Sequence, residues 1–202
     1  MQKCFVKKRF RSYNHVMTKR IFVAINLPDD LKRNIVALQN KLQKFDWPVR
    51  WEDEDKLHIT LRFLGSITEQ NISQINEIVS RAINNFKTFT LKINNFIAFP
   101  SFKFPRVICL NIKENESLFE LQKKIADPIE DQGIGESERH PFSGHITIGR
   151  VKPVNANFRA LNKIGFKSEF KVKLVEIMQS NLYSTGSEYS IMNKHEFRNS
   201  RS

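Results

Sequence analysis

The stretch His58-Ile-Thr-Leu61 recurs in nearly the same form as His145-Ile-Thr-Ile148, 87 residues later in the chain. Side chains alternate between faces along an extended strand, so each histidine shares a face with the threonine two positions on. The aliphatic residues between them point to the opposite face, where they can pack against a core. We therefore expect two strands that each present an imidazole beside a hydroxyl.

The sequence around these stretches indicates that the chain is built from two related halves. Arg20-Ile-Phe-Val-Ala-Ile25 resembles Arg106-Val-Ile-Cys-Leu-Asn111, and each segment precedes a helix-like pattern that leads to a histidine strand. Two such copies can be related by a pseudo-twofold axis, which would make the histidines face one another across a cleft. The alternative is two half-buried strands whose polar residues merely face solvent, but the matched spacing argues against coincidence. The helical apolar positions are Leu31, Ile35, Leu38 and Leu42 in the first copy and Leu118, Leu121, Ile125 and Ile129 in the second.

The other patterns predict an alternation of strands and helices. Gly65 is predicted to end the first histidine strand, and Thr68 to cap a helix with an apolar face from Ile72 to Ile83. A short helix is predicted within residues 154–164. Further strands are predicted at residues 21–26, 49–51, 88–98, within 166–180 and near 189–192.

Length and charge bound the organisation of the chain. Its 202 residues suit one compact domain of two lobes, and its formal net charge of +12 favours a polyanionic partner. We expect residues 1–19 to be a flexible basic extension, with Met17 as an alternative start and an organellar transit peptide as the weaker alternative. Residues 20–193 are predicted to form the bilobal domain, and residues 194–202 a polar tail.

The number of cysteines and the hydropathy of the chain indicate the cellular compartment in which we expect the protein. Two cysteines, Cys4 and Cys109, are too few for a disulfide framework, and Cys109 lies in an apolar strand. No apolar run approaches the roughly 18 residues that span a bilayer. We therefore expect a protein of the cytoplasm that does not associate with membranes.

The absence of several catalytic motifs from the sequence limits the reactions that the protein could catalyse. It contains no phosphate loop of the Walker type, no H-E-x-x-H, no C-x-x-C pair and no G-x-S-x-G. Two imidazoles, two hydroxyls and positive charge suit a phosphodiester held between a general acid and a general base. The acidic run at residues 52–55 is interpreted as a solvated turn because no metal-ligand spacing accompanies it. We expect neither a metal nor another cofactor.

Five segments resemble the RNA 2′,3′-cyclic phosphodiesterase family, historically called 2′-5′ RNA ligases, of the two-histidine phosphoesterase superfamily. Together they extend from residue 20 to about residue 192. The segments are residues 20–28, Trp51 with residues 57–65, residues 104–107, residues 145–151, and residues 180–183 with Gly186 and Tyr189.

The resemblance implies an α+β fold with two pseudo-symmetric lobes, each with an antiparallel sheet and flanking helices, and an active-site cleft between them. It also implies hydrolysis of an RNA terminal 2′,3′-cyclic phosphate to a 2′-phosphomonoester. His58 matches the proton donor of the family, His145 the proton acceptor, and Thr60 and Thr147 the phosphate-binding hydroxyls. The family often has proline before the second histidine, where this chain has Gly144, so the placement of His145 is expected to be less rigid.

Two arginines are further candidates for substrate binding. Strict alternation puts Arg150 opposite His145, so a phosphate contact would require a bulge or strand end near Gly149. Arg62 alternates onto the face of His58, where it would contact RNA or lie at the cleft rim. The remaining candidates are given structural roles. These are Phe63 in the core, with base stacking as the alternative, Tyr189 in a sheet, with the lining of the cleft as the alternative, His140 in an exposed loop, and His15 and His195 in terminal segments.

Three functions stay open at this point. The favoured function is metal-independent hydrolysis by a monomer acting on RNA with a cyclic end, of which tRNA fragments are one example. The same residues would also serve an RNA ligase that runs the chemistry in reverse. A non-catalytic RNA or nucleotide-binding module is the third reading, although pure binding does not require two opposed proton-transfer groups.

Overall fold

Two antiparallel sheets form the framework of the computed structural model, which describes residues 17–138, 140–152, 158–184 and 186–197. The first sheet has the strand order β3-β1-β8-β9, and the second has the order β2-β6-β5-β4-β7. The expectation of an α+β fold with one antiparallel sheet in each lobe is confirmed. The strands are β1 (Thr18–Asn26), β2 (Val49–Trp51), β3 (His58–Thr68), β4 (Phe89–Phe99), β5 (Val107–Ile112), β6 (His145–Val151), β7 (Lys167–Val172), β8 (Leu174–Tyr183) and β9 (Gly186–Glu196).

In the described ranges, three α-helices cover the sheets, and their predicted apolar faces are buried. They are α1 (Asp29–Leu42), α2 (Glu69–Ile83) and α3 (Glu116–Asp131). The Thr68 side chain caps α2 by accepting a hydrogen bond from the Asn71 amide at 3.3 Å, as predicted. Asn115 caps α3 in the same way, accepting from the Leu118 amide at 3.0 Å. In the described part of the chain, no helix combines the length and the apolar character needed to cross a membrane.

The two halves of the sequence exchange strands. β2 comes from the first half but pairs with β6, whereas β8 comes from the second half and pairs with β1. Each sheet therefore contains strands from both halves of the chain. The two histidine strands, β3 and β6, meet where the sheets adjoin.

The structure differs from the predicted boundaries at both ends. β1 begins at Thr18, so residues 18 and 19 belong to the sheet. Residues 1–16, which include His15, lie outside the described residues. β9 continues to Glu196 because it pairs with β8 along its whole length, and Phe197 beyond it is buried. His195 contacts the Asn76 Oδ1 atom through Nε2 at 2.8 Å. The predicted start of a polar tail at residue 194 is therefore wrong, and residues 198–202 lie outside the described part.

The structure also differs from two predictions made for the interior of the chain. Gly65 does not end the first histidine strand, because β3 continues to Thr68 through a bulge at Leu64. Gly65 has φ +72°, a backbone conformation that glycine adopts without strain. Of the short helix predicted within residues 154–164, the structure has a 3-10 helix at Arg159–Lys163, and residues 153–157 are not described.

Candidate active site

A cleft of about 450 Å³ between the sheets brings together the four motif residues His58, Thr60, His145 and Thr147. Residues from both sheets line it, so neither lobe forms the site alone. Its other charged and aromatic lining residues are Arg20, Arg50, Lys56, Arg150, Glu52, Phe22, Phe63 and Tyr189.

The backbone orients both imidazoles in the same way. In His58, Nδ1 lies 2.8 Å from the carbonyl oxygen of Lys56, and in His145 Nδ1 lies 2.7 Å from that of Ser143. A carbonyl oxygen only accepts, so Nδ1 carries the proton and donates it in both rings. The neutral rings therefore have an unprotonated Nε2, and that of His58 lies 3.0 Å from the Thr60 hydroxyl.

Packing lowers the basicity of both rings. The His58 ring lies against Phe22 with centroids 4.9 Å apart, and the His145 ring lies against Phe99 at 5.0 Å. Burial lowers the pKa of His58 to about 4, and the charges of nearby basic groups, Arg150 among them, add to the fall. Burial also lowers the pKa of His145, against the hydrogen bond to Ser143. Both imidazoles are therefore neutral in the unliganded protein at neutral pH.

A β-bulge brings Arg150 to the cleft. Thr147 and Gly149 pair with consecutive residues of β5, which leaves Ile148 as the extra residue of β6. The extra residue reverses the alternation of side chains beyond it, so Arg150 joins the face of His145. The bulge that a phosphate contact required is thus present, and Arg150 lines the cleft.

An equivalent bulge in β3 moves Arg62 away from the cleft. Thr60 and Arg62 pair with consecutive residues of β1, leaving Leu61 as the extra residue. The predicted placement of Arg62 on the face of His58 is therefore wrong, because the alternation reverses at Leu61. Phe63, predicted to lie in the core, packs against the small buried cluster that contains Phe22 and also lines the cleft, at the position that corresponds to Arg150.

Arg62 binds the end of α3 and the loop that follows. It is 2% exposed and forms an ion pair with Glu130. Its Nη1 lies 3.3 Å from the Glu138 Oε1 atom, and its Nη2 donates to the Glu136 carbonyl at 3.0 Å. These contacts join β3 to the segment that follows α3.

Glu52 is a cleft residue that the sequence reading placed in a solvated turn. Its side chain is 9% exposed, and its Oε1 accepts from the Arg150 Nε at 2.6 Å. The Glu52 amide donates to the Ile148 carbonyl at 3.0 Å, and the Glu52 carbonyl accepts from the buried Gln39 side chain at 2.8 Å. The available signal was its position two residues after Arg50, which puts both on one face if the extended backbone of β2 continues.

Two further cleft residues lie on the first sheet. The guanidinium of Arg20 lies 4.8 Å from the centroid of the Phe63 ring, a cation–π contact. Tyr189 in β9 makes edge contacts with the rings of Phe22 and His58. It is thus a sheet aromatic, as predicted, and at the same time a cleft residue. Arg20 belongs to the segment that defined the first repeat, but its role in the cleft was not predicted.

The other histidine-strand features are structural. The Gly144 carbonyl accepts from the Ile112 amide at 3.1 Å, which ties the entry of β6 to β5. Cys109 is fully buried with its Sγ 3.6 Å from the Thr147 Oγ1, and burial raises the pKa of the thiol to about 11.

His140 is exposed, as predicted. Within the described ranges, no three His, Cys, Asp or Glu side chains are grouped to hold a metal ion.

Comparison with known proteins gives a consistent result. Residues 25–109 match the family model described as LigT-like phosphoesterase. The chain is 31% identical over 180 residues to a Thermotoga maritima protein named RNA 2′,3′-cyclic phosphodiesterase, covering 88% of this chain and 95% of the relative. A Methanothermobacter thermautotrophicus protein of the same name is 25% identical over 87% of this chain and 97% of its own length.

Solved structures share the fold. The Thermus thermophilus protein TT0787 superposes with a TM-score of 0.78 at 24% identity, covering 90% of this chain and all of that protein. Escherichia coli LigT, solved in complex with 3′-AMP, gives a TM-score of 0.75 at 21% identity over 90% of this chain and 99% of its own. These likenesses confirm the two-lobed architecture.

Proposed function

This chain belongs to the LigT-like phosphoesterase family of RNA 2′,3′-cyclic phosphodiesterases and is a phosphodiesterase enzyme; we propose that it hydrolyses the 2′,3′-cyclic phosphate end of RNA to a 2′-phosphomonoester by metal-independent acid–base catalysis. The observation that carries this proposal is the pair of imidazoles in one cleft, each anchored through Nδ1 to a backbone carbonyl. Such anchoring leaves each Nε2 for proton transfer to the substrate.

In the proposed reaction, His145 acts as the base and His58 as the acid. The Nε2 of His145 takes a proton from a water molecule as the water oxygen forms a bond to phosphorus. The bond between phosphorus and O3′ breaks, and protonated His58 gives its proton to O3′. Each proton transfer typically contributes about 10²–10⁴-fold to the rate.

Substrate binding favours the uptake from solvent of the proton that His58 needs. Burial and nearby positive charge keep this imidazole neutral in the unliganded protein. A phosphodiester anion offsets that positive charge and favours the imidazolium, which raises the pKa of His58. Protonation of the acid is therefore coupled to occupation of the cleft by an anion.

The hydroxyls and Arg150 bind the phosphate in this proposal. Thr60 and Thr147 donate hydrogen bonds to its non-bridging oxygens, and the guanidinium of Arg150 balances charge that develops there. Arg62 is left out of the substrate-binding set, because it is buried against α3.

The test is incubation of the full chain, with excess EDTA, with a short RNA that ends in a 2′,3′-cyclic phosphate. We expect a 2′-phosphate product, and none with His58→Ala or His145→Ala. A 3′-phosphate product, a requirement for added metal, or unchanged turnover in both variants would overturn the mechanism. Joining of the cyclic end to a 5′-hydroxyl RNA would favour the ligase, and binding without either reaction the non-catalytic module.

We also propose that the enzyme acts as a monomer in the cytoplasm on RNA, including fragments of tRNA. The net charge of +12 favours a long polyanion over a small cyclic nucleotide, and the buried Cys109 thiol suits a reducing compartment. A kcat/KM no higher for cyclic-ended RNA than for a cyclic mononucleotide would contradict the substrate. Light scattering after gel filtration tests the monomer, and cell fractionation tests the compartment.

A further inference from the structure

Glu52 is the carboxylate among the described side chains that line the cleft, and it forms an ion pair with Arg150. Arg50 and Arg150 are paired in register on β2 and β6. The Glu52 carboxylate accepts from the Nε of Arg150 at 2.6 Å. A contact through Nε leaves the two Nη groups of the guanidinium for an anion in the cleft, and the Arg150 side chain is 49% exposed.

The backbone around Glu52 fixes this carboxylate in place. The side chain of Gln39, 3% exposed, donates from Nε2 to the carbonyl oxygens of both Glu52 and Ile148, at 2.8 and 2.9 Å. The Glu52 amide donates to the same Ile148 carbonyl at 3.0 Å. Glu52 is thus attached to the bulge residue that orients Arg150, so an incoming anion meets both charges together.

The field of Glu52 also reaches the opposite wall of the cleft. Burial raises the pKa of the Tyr189 hydroxyl, and the Glu52 carboxylate adds to the rise. Tyr189 belongs to β9 of the first sheet, whereas Glu52 follows β2 of the second. An anion between the two walls therefore experiences repulsion from Glu52 as well as attraction from the arginines.

We propose that Glu52 weakens the binding of a phosphomonoester dianion relative to that of a phosphodiester monoanion. This inference rests on the proposed function, in which the substrate is the monoanion and the product the dianion. A phosphomonoester has a second pKa near 6, so it carries about one more negative charge than a diester above neutral pH. The fixed carboxylate repels that additional charge, and the product leaves more readily than it would from a cleft lined only by cations.

Two RNA ligands that differ by this one charge test the proposal directly. One is a short RNA with a terminal 2′-phosphate, and the other is the same RNA with a methyl ester on that phosphate. Both end in a 3′-deoxyribose, so no neighbouring hydroxyl can attack the phosphate and affinity is measured at pH 7.5 without turnover. The variant Glu52→Gln removes the charge but keeps an amide oxygen that can accept from Arg150.

We expect Glu52→Gln to lower the ratio of the affinity for the methyl ester to the affinity for the phosphomonoester about tenfold relative to the parent, mainly through tighter binding of the dianion. The matched control is Glu54→Gln, which removes an exposed carboxylate from the same acidic run outside the cleft lining and should keep the ratio. An equal ratio in the parent and Glu52→Gln, or the same fall in Glu54→Gln, would overturn the proposal.

The outcome separates this inference from the proposed function. If the parent hydrolyses the cyclic end but Glu52→Gln keeps the parent's affinity ratio, only the role of Glu52 is refuted. If Glu52→Gln lowers the ratio but the parent hydrolyses no cyclic end, the reaction is refuted and the effect of Glu52 on binding stands.

Discussion

Leu118 of α3 fills the space beside Gly144: a Cβ added to Gly144 would lie 2.8 Å from the Leu118 Cδ2 atom. Glycine at this position therefore accompanies close packing of α3 against the entry to β6. Gly144 is held in place by this packing and by its hydrogen bond to β5. The backbone flexibility that glycine would otherwise have before His145 is therefore limited.

Gly144→Ala should destabilise the protein by about 1–3 kcal/mol, because the new methyl group overpacks against Leu118. Urea unfolding would measure this change in the free energy of unfolding. Gly165→Ala is the matched control, since a Cβ there meets no atom within 4 Å, and it should be neutral or slightly stabilising. Equal effects of the two substitutions would contradict the packing argument.

The pKa of His58 predicts how stability depends on pH. It is about 4 in the folded protein, against an ordinary value of 6.5, so the unfolded chain takes up this proton first as the pH falls. Stability should therefore decrease on acidification from about pH 6.5 towards pH 4, by on the order of 2 kcal/mol at pH 5 from this residue. Urea unfolding at pH 7.5 and pH 5 should show a smaller loss for His58→Gln than for the parent. Equal losses would mean that His58 is not held neutral by the fold.

Arg62 and Arg150 should separate stability from catalysis. Arg62→Ala removes a buried cation from acidic and carbonyl partners and should lower the free energy of unfolding by about 2–3 kcal/mol, with kcat/KM unchanged where the protein is folded. Arg150→Ala removes a half-exposed cleft cation and should lower kcat/KM by about 10²-fold with little change in stability. A raised KM in Arg62→Ala, without a loss of stability, would restore Arg62 as a substrate contact.

A sulfur leaving group should distinguish the acid from the base. When O3′ of the cyclic phosphate is replaced by sulfur, the departing thiolate needs no proton, because it is a far weaker base than an alkoxide. The defect of His58→Ala should then shrink by about 10²-fold or more, while His145→Ala stays impaired. Rescue of His145→Ala instead would reverse the assigned roles.

Much of the fold is predictable from local sequence pattern. The helix faces from Leu31 to Leu42 and from Leu118 to Ile129 follow helical spacing, and they are buried as that spacing predicts. The motif residues from His58 to Thr60 and from His145 to Thr147 precede the bulges, so simple alternation places them correctly.

The cleft beyond those residues depends on pairing between distant strands. Whether Arg62 or Phe63 faces the cleft is decided by one extra residue in β3, which the partner strand β1 determines. Glu52 looks like part of an exposed acidic run until β2 pairs with β6 and brings it to Arg150, 98 residues away. Local pattern contains neither fact.

The exchange of strands between the halves has a consequence for how a substrate enters the cleft. The chain passes between the sheets four times, from β1 to β2, β2 to β3, β3 to β4 and β7 to β8. A hinge motion that opens and closes the two sheets would have to bend all four crossings together. We therefore expect the cleft to be preformed and to keep its shape. The radius of gyration measured by X-ray scattering should stay nearly constant when a short RNA end binds. Selectivity among RNA ends then depends on the side chains that line the cleft.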